Sequence, residues 1–216
     1  MAKILSALAI SCGHEQLFNI YRVSALRYPA GHFPEFASRQ GDSSFLAAPF
    51  LDKLPSGSVV FHQVRHPLAV IRSHMGIRFF AEPYEPSIYL ADCHLDFLKF
   101  LERHCPGIFK LETEVSRTMR YWVLWNTLVE RAEENPSLKY LRYQVETLNT
   151  RLLKQIVNAL GHDMSDEHLN NALSTVAKTT NTRLRDHAIT WRSLPDGEEK
   201  DQIINLALRY GYTELD

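Results

Sequence analysis

The sequence predicts an α/β protein with three layers, in which helices cover both sides of a central parallel sheet. Two strand-then-helix units carry this prediction. In the first, the chain from Val59 opens with an apolar, β-branched run typical of a buried parallel strand, and this strand is predicted to end at Arg65. Pro67 suits the first turn of the following helix, where its missing N–H costs nothing. The second unit places a strand at 138–143 and a helix at 145–160.

The remaining chain is predicted to be mostly helical. Asp42 begins a capping segment, Asp-Ser-Ser, for a helix that runs to about Leu54. The segments 24–41 and 77–90 lack apolar periodicity and hold several aromatic residues, so they are expected to be loops that border a substrate site or pack as a small core. Further helices are expected at 2–10, 91–104, 114–134, 165–176 and 196–210.

Composition limits the classes of function. The 216 residues are enough for one domain, 1–216, and the net charge of −1 argues against a nucleic-acid binder held by bulk charge. Cys12, Cys93 and Cys105 have no Cys-x-x-Cys spacing, so neither a disulfide framework nor a zinc site is indicated. Without an apolar run long enough for a membrane span or a basic signal-peptide start, we expect a cytoplasmic protein.

An anion site is indicated where the first predicted strand ends. Arg65 ends the predicted strand, and Ser73 comes eight residues later in the helix. In parallel sheets, ligands collect at the carboxyl ends of strands beside helix N-termini. A guanidinium with a nearby hydroxyl is suited to phosphate binding. The alternative is that Arg65 pairs with a local carboxylate and Ser73 lies on a solvated helix face.

A second candidate site follows the first helix. Gly13 permits an unusual backbone angle and precedes His14 and Glu15, two side chains capable of acid–base chemistry. Glu15 is therefore a candidate general base, with His14 as the other candidate. Alternatively, Glu15 caps a helix start and His14 is simply exposed.

A third candidate segment spans 179–187. It concentrates hydroxyl groups and two cations, Arg183 and Arg185, and has no apolar period. Such a segment is suited to a phosphate-contacting loop. A solvated connection between helices explains the same composition.

Several of these pieces, in this order, resemble the sulfotransferases that use 3′-phosphoadenosine 5′-phosphosulfate (PAPS), in particular a bacterial-type branch. The segment 59–73 is similar to the family's 3′-phosphate-binding segment, with its strand, Arg-x-Pro turn and later serine. Leu141 to Glu146 resembles the strand-end motif Tyr-Glu-Asp-Leu, and 13–15 resembles the position where the branch places a base. The C-terminal pattern from Trp191 to Tyr212 is also similar.

The resemblance implies a P-loop-NTPase-like sulfotransferase fold and a role for each matching residue. Arg65 and Ser73 would hold the 3′-phosphate of PAPS, and Tyr143 would flank its adenine. Arg183 or Arg185 would add a phosphate contact. Glu15, or less favourably His14, would deprotonate the hydroxyl of a small-molecule or carbohydrate acceptor, with no metal required.

One part of the family pattern is missing. The family places a first strand and a Gly/Ser/Thr-rich turn for the 5′-phosphosulfate directly before the first helix, whereas here that helix begins at residue 2 and Lys3 lies inside it. The chain is therefore expected either to lack its true N-terminus or to be a shortened relative. The corresponding alternative function is a non-catalytic, sulfotransferase-like binding module.

Overall fold

In the computed structural model of this chain, residues 1–20, 41–80, 94–177 and 189–213 are described. The strands are β1 (Cys12–His14), β2 (Gly41–Ser43), β3 (Val59–Val64) and β4 (Lys139–Gln144). The α-helices are α1 (Ala2–Ala7), α2 (Pro67–Gly76), α3 (His94–His104), α4 (Glu114–Glu130), α5 (Thr150–Ala159), α6 (Asp166–Ala177) and α7 (Glu198–Arg209). Short 3₁₀ helices span Phe45–Lys53, Ile108–Lys110, Arg131–Glu134, Val145–Thr147 and Trp191–Ser193.

The described strands form two separate parallel pairs. β1 pairs with β2, and β3 pairs with β4 in a register that sets Val59 opposite Lys139 and Val64 opposite Gln144. The mixed α/β class and the parallel pairing of the two predicted strands are confirmed. The expected single central sheet is replaced by two pairs, which are not hydrogen-bonded to each other within the described residues.

Helices cover both faces of the β3–β4 pair. On one face, Val64 packs with apolar residues of α2, α4 and α7, such as Ile71, Trp122 and Ile203. On the other face, Phe61, Leu141 and Tyr143 pack with α1, α5 and α6 through Ile4, Leu153 and Leu169. Burial alternates along β3 because successive side chains point to opposite faces of the pair. The arrangement around this pair therefore has three layers.

A second core lies away from this pair. The 3₁₀ helix Phe45–Lys53, α3 and α4 bury an aromatic cluster that includes Phe80, Phe97, Phe100 and Trp125. Tyr121 and Trp125 stack with ring centroids 4.9 Å apart, and the Trp125 indole N–H donates to the Phe45 carbonyl over 2.7 Å. The two tryptophans of α4, Trp122 and Trp125, thus pack in the hydrophobic cores.

The structure corrects several predicted boundaries. The predicted glycine turn after α1 is the strand β1, and the predicted capping segment at Asp42 contributes Asp42 and Ser43 to β2. Ser44 caps the next helix, accepting a hydrogen bond from the Leu46 amide, and that helix is 3₁₀. α1 ends at Ala7, and the predicted helix at 145–160 begins only at Thr150. Most of loops 24–41 and 77–90, with residues 91–93 and 179–187, lies outside the described residues.

No helix in the described ranges combines the length and the apolar character that crossing a bilayer requires.

Candidate functional site

A groove of about 1480 Å³ separates the two strand pairs. Its walls include residues of β1, β2 and β3 and of the helices on both faces of the sheet. Three of the candidate site residues line it: His14, Glu15 and Arg65. Glu15 directly follows β1 and Arg65 directly follows β3. The groove thus brings together residues that lie 50 positions apart in the chain.

Glu15 has a strained backbone. Its φ is +54°, in the left-handed region, which costs about 1 kcal/mol or more for a residue with a Cβ. Its amide donates to the carbonyl of Ser43, the last residue of β2, over 3.4 Å. This hydrogen bond holds the strained backbone of Glu15 at the end of the β1–β2 pair. Burial raises the pKa of the Glu15 carboxyl, while the nearby His14 opposes this shift and Asp42 adds to it. A carboxyl with a raised pKa is suited to accepting a proton.

Asp42 fixes the chain that follows Glu15. One carboxylate oxygen accepts the Gln16 amide at 3.0 Å, and the other accepts the amides of Leu17 and Phe18 at 3.1 and 2.9 Å. These charge-assisted hydrogen bonds link β2 to a turn more than 20 residues earlier in the chain. Local sequence had suggested a forward cap instead, because capping motifs concern neighbouring residues. Nothing in the local pattern identifies a partner at this distance.

The turn that presents Arg65 is held through its backbone. The Trp122 indole N–H donates to the Arg65 carbonyl over 3.0 Å. The His66 amide donates to the Glu146 carboxylate over 2.8 Å, and the Tyr212 hydroxyl donates to the other Glu146 oxygen over 3.0 Å. The turn is therefore held by α4 and by Glu146 of the 3₁₀ helix Val145–Thr147, which Tyr212 contacts in turn. Glu146 and Tyr212 lie in the two segments, 141–146 and the C-terminal pattern, whose sequence resembles the sulfotransferases. The sequence did not indicate that these two residues contact each other.

The Arg65 side chain is exposed beside the N-terminus of α2, with Pro67 in the first turn of that helix. Among the described residues it makes no ion pair, in contrast to Arg120, Arg142 and Arg209, which bind carboxylates. The pairing with a local carboxylate that the sequence left open is therefore not found within these ranges. A guanidinium in this position is available to an anion.

Two other candidate residues, Ser73 and Tyr143, are not among the residues that line the groove. Ser73 is half-buried on α2, outside the groove lining. Tyr143 is 6% exposed and packs in the core with α1, α5 and α6. Its hydroxyl has no hydrogen-bond partner among the described residues, and burial raises its pKa. The adenine contact of Tyr143 and the phosphate contact of Ser73 stay predictions. Arg183 and Arg185 lie outside the described residues.

A buried polar network on the groove wall was not predicted. His62 is 3% exposed; its Nδ1 lies 2.6 Å from the Tyr140 hydroxyl, and its Nε2 lies 2.9 Å from Asn126 Oδ1. Asn126 donates its amide to the Trp122 carbonyl, so its oxygen is left to accept the Nε2–H of a neutral imidazole. Burial lowers the pKa of His62 to about 4. A histidine within an apolar strand gave no sequence signal of these partners.

Comparison with known proteins adds no assignment: no family model, no curated protein and no solved structure matches this chain. Within the described ranges, no three His, Cys, Asp or Glu side chains lie together in a way that could hold a metal ion. The site must therefore be interpreted from its own residues.

Proposed function

We propose that the chain is a sulfotransferase-type domain that binds the 3′-phosphate of PAPS at Arg65 and uses Glu15 as a base toward a hydroxyl acceptor. The observation that carries this proposal is that Glu15 and Arg65 line one groove, each just beyond the end of a parallel strand. Their chemistries are complementary, because one accepts a proton and the other binds an anion.

The described residues are suited to one part of PAPS, its 3′-phosphate. Arg65 offers five N–H donors in a rigid fork, and its carbonyl and the next amide are fixed by Trp122 and Glu146. These contacts fix the backbone that carries the exposed Arg65 side chain. Tyr143 is 6% exposed, and its contact with the adenine stays a prediction. The fit thus rests on the phosphate end of the molecule.

The role of Glu15 follows from its surroundings. Its raised pKa makes the carboxylate a stronger base than an exposed glutamate, and the left-handed backbone holds it at the groove. Glu15 would take the proton from an acceptor hydroxyl as that oxygen attacks. PAPS, when bound, supplies the sulfuryl group. Catalysis of such transfers depends mainly on positioning and charge stabilisation, with no covalent enzyme intermediate required. Sugar, lipid-headgroup and phenolic hydroxyls all suit this chemistry.

Isothermal titration calorimetry with 3′-phosphoadenosine 5′-phosphate tests the proposal. Replacing Arg65 by alanine should weaken binding by about 1.5–3 kcal/mol, the usual value for a hydrogen bond to a charged group. The control Arg151→Ala changes an exposed arginine of α5 and should leave affinity unchanged. Adenosine 5′-phosphate, which lacks the 3′-phosphate, should bind both proteins equally. The proposal is wrong if the wild-type chain does not bind, or if Arg65→Ala binds as tightly as the wild type.

A further inference from the structure

The two peptide groups that flank Arg65 are both held by side chains from distant parts of the chain. The Tyr212 hydroxyl lies 3.2 Å from the Val64 carbonyl, which belongs to the peptide before Arg65. The Trp122 indole N–H donates to the Arg65 carbonyl, which belongs to the peptide after it. Because each peptide group is planar, holding both of them fixes φ and ψ of Arg65 together.

Tyr212 contacts the first of these peptides directly and the second through Glu146. Its O–H is shared between the Val64 carbonyl and a Glu146 oxygen 3.0 Å away. The other Glu146 oxygen accepts the His66 amide, which is the N–H of the peptide after Arg65. Burial raises the pKa of the Tyr212 hydroxyl and Glu146 raises it further, whereas Arg65 lowers it. The hydroxyl therefore stays protonated at neutral pH and is able to donate.

The position of Tyr212 is set by the turn 210–212, which follows α7. Gly211 has a φ of +86°, in the region that favours glycine, and a Cβ there would lie 3.3 Å from the Gln144 side-chain nitrogen. The same nitrogen donates to the Tyr210 carbonyl over 2.9 Å. The turn 210–212 thus packs against the carboxyl end of β4, and Tyr212 is 7% exposed.

We infer that Tyr212 and Glu146 are positioning residues for Arg65, so that the turn 210–212 sets the phosphate affinity of the candidate site. This inference rests on the proposed phosphate contact of Arg65. The Arg65 side chain is exposed, so the direction in which it leaves the chain depends on its φ and ψ. A guanidinium fork binds a phosphate well only when two of its N–H groups face the oxygens. Residues that hold the two flanking peptides therefore act on the anion without touching it.

Tyr212→Phe is the sharpest substitution, because it removes one oxygen, keeps the ring and changes no charge beside the anion. In isothermal titration calorimetry it should weaken binding of 3′-phosphoadenosine 5′-phosphate about three- to tenfold, which is less than the effect of Arg65→Ala. Binding of adenosine 5′-phosphate, which lacks the 3′-phosphate, should not change. A general loss of structure would weaken both ligands equally, and that result would contradict the inference.

Tyr140→Phe is the matched control. It also removes a hydrogen-bonded hydroxyl, which lies 2.6 Å from His62 Nδ1, and Tyr140 is in the first half of β4 and outside the groove lining. This variant should bind 3′-phosphoadenosine 5′-phosphate as the wild type does. Equal losses of affinity in Tyr140→Phe and Tyr212→Phe would overturn the positioning role.

A double-mutant cycle separates an effect through Arg65 from an effect on the fold. In a protein that already carries Arg65→Ala, adding Tyr212→Phe should leave the affinity unchanged, since the side chain that it positions is absent. If Tyr212→Phe weakens binding by the same factor with and without the Arg65 side chain, the inference fails.

Amide hydrogen exchange tests the positioning without any ligand. Tyr212→Phe should speed exchange of the His66 amide about threefold or more, although the hydroxyl does not itself accept from or donate to that amide. The Leu153 amide, bonded to the Asn149 carbonyl in α5, should exchange at the wild-type rate. Unchanged exchange at His66 would refute the positioning role. A wild-type chain that does not bind 3′-phosphoadenosine 5′-phosphate would instead refute the proposed function, so the two failures are distinguishable.

Discussion

The pH dependence of stability should reveal the buried His62. Its neutral imidazole accepts from Tyr140 and donates to Asn126 at the groove wall, and at 3% exposure a charged ring would lack water. Burial therefore lowers the pKa of His62 from 6.5 to about 4. The unfolded chain binds a proton at His62 in this interval while the folded chain does not. This contribution to the free energy of unfolding is fully present above pH 6.5 and is lost as the pH falls toward 4.

The expected size follows from the two pKa values. At about 1.4 kcal/mol per pH unit, the interval from 6.5 to about 4 corresponds to a loss of about 3 kcal/mol. His62→Gln removes this titration. At pH 7.5 it should be less stable than the wild type by about 1–3 kcal/mol, because a glutamine does not reproduce both hydrogen bonds. By pH 4 the difference between the two proteins should have fallen by about 3 kcal/mol.

Urea denaturation of both proteins at half-unit steps between pH 4 and 7.5 measures this difference directly. Carboxylates and other histidines titrate in both proteins, so their contributions cancel. His168→Gln, at an exposed position of α6, is the matched control and should follow the wild type at every pH. A constant difference between the wild type and His62→Gln across the range would refute the assignment of a buried neutral imidazole.

Two further substitutions test the chain around Glu15. Asp42→Ala removes an acceptor of three backbone amides and should cost about 2 kcal/mol, which lowers the melting temperature by roughly 4–8 °C in a protein of this size. Asp196→Ala removes an exposed ion pair and should leave the melting temperature nearly unchanged. Similar effects of both variants would contradict the stabilising role of the three hydrogen bonds to Asp42. Burial raises the pKa of Glu15, so its charged form is disfavoured in the folded state and stability declines as the pH rises through the interval above 4.5. Glu15→Gln should therefore raise the melting temperature at pH 7 but not at pH 4, and a lower melting temperature at pH 7 would count against the raised pKa.

Elements whose signals are local were predicted well. The strand predicted to begin at Val59 and end at Arg65 forms β3, which ends one residue earlier at Val64. Pro67 begins α2 as predicted, because strand propensity and proline's fixed φ act on neighbouring residues. Gly161 follows α5 with a φ of +82°, as expected for a residue that ends a helix. The position of Arg65 at the carboxyl end of a strand was also predicted from the sequence, within one residue of where β3 ends.

Contacts between distant segments were not predictable from the sequence. The partners of Asp42 lie 24 to 26 residues away, and those of His62 lie 64 and 78 residues away. Nothing in the local pattern of either residue identifies these partners. β1 was missed because three residues, one of them a glycine, give too weak a strand signal; its pairing with β2 supplies the stabilisation.

The order of residues was thus sufficient to define the α/β class, the strand–turn–helix at Arg65 and the chemical character of Glu15. Periodicity, proline geometry and side-chain type depend on the residue and its neighbours. Tertiary structure alone decided that Glu15 and Arg65 line one groove, that Tyr143 is buried in the core, and that, among the described residues, β3 pairs with β4 alone. Each of these outcomes depends on how separate elements pack, because a residue's exposure and its partners are set by segments far from it in the chain.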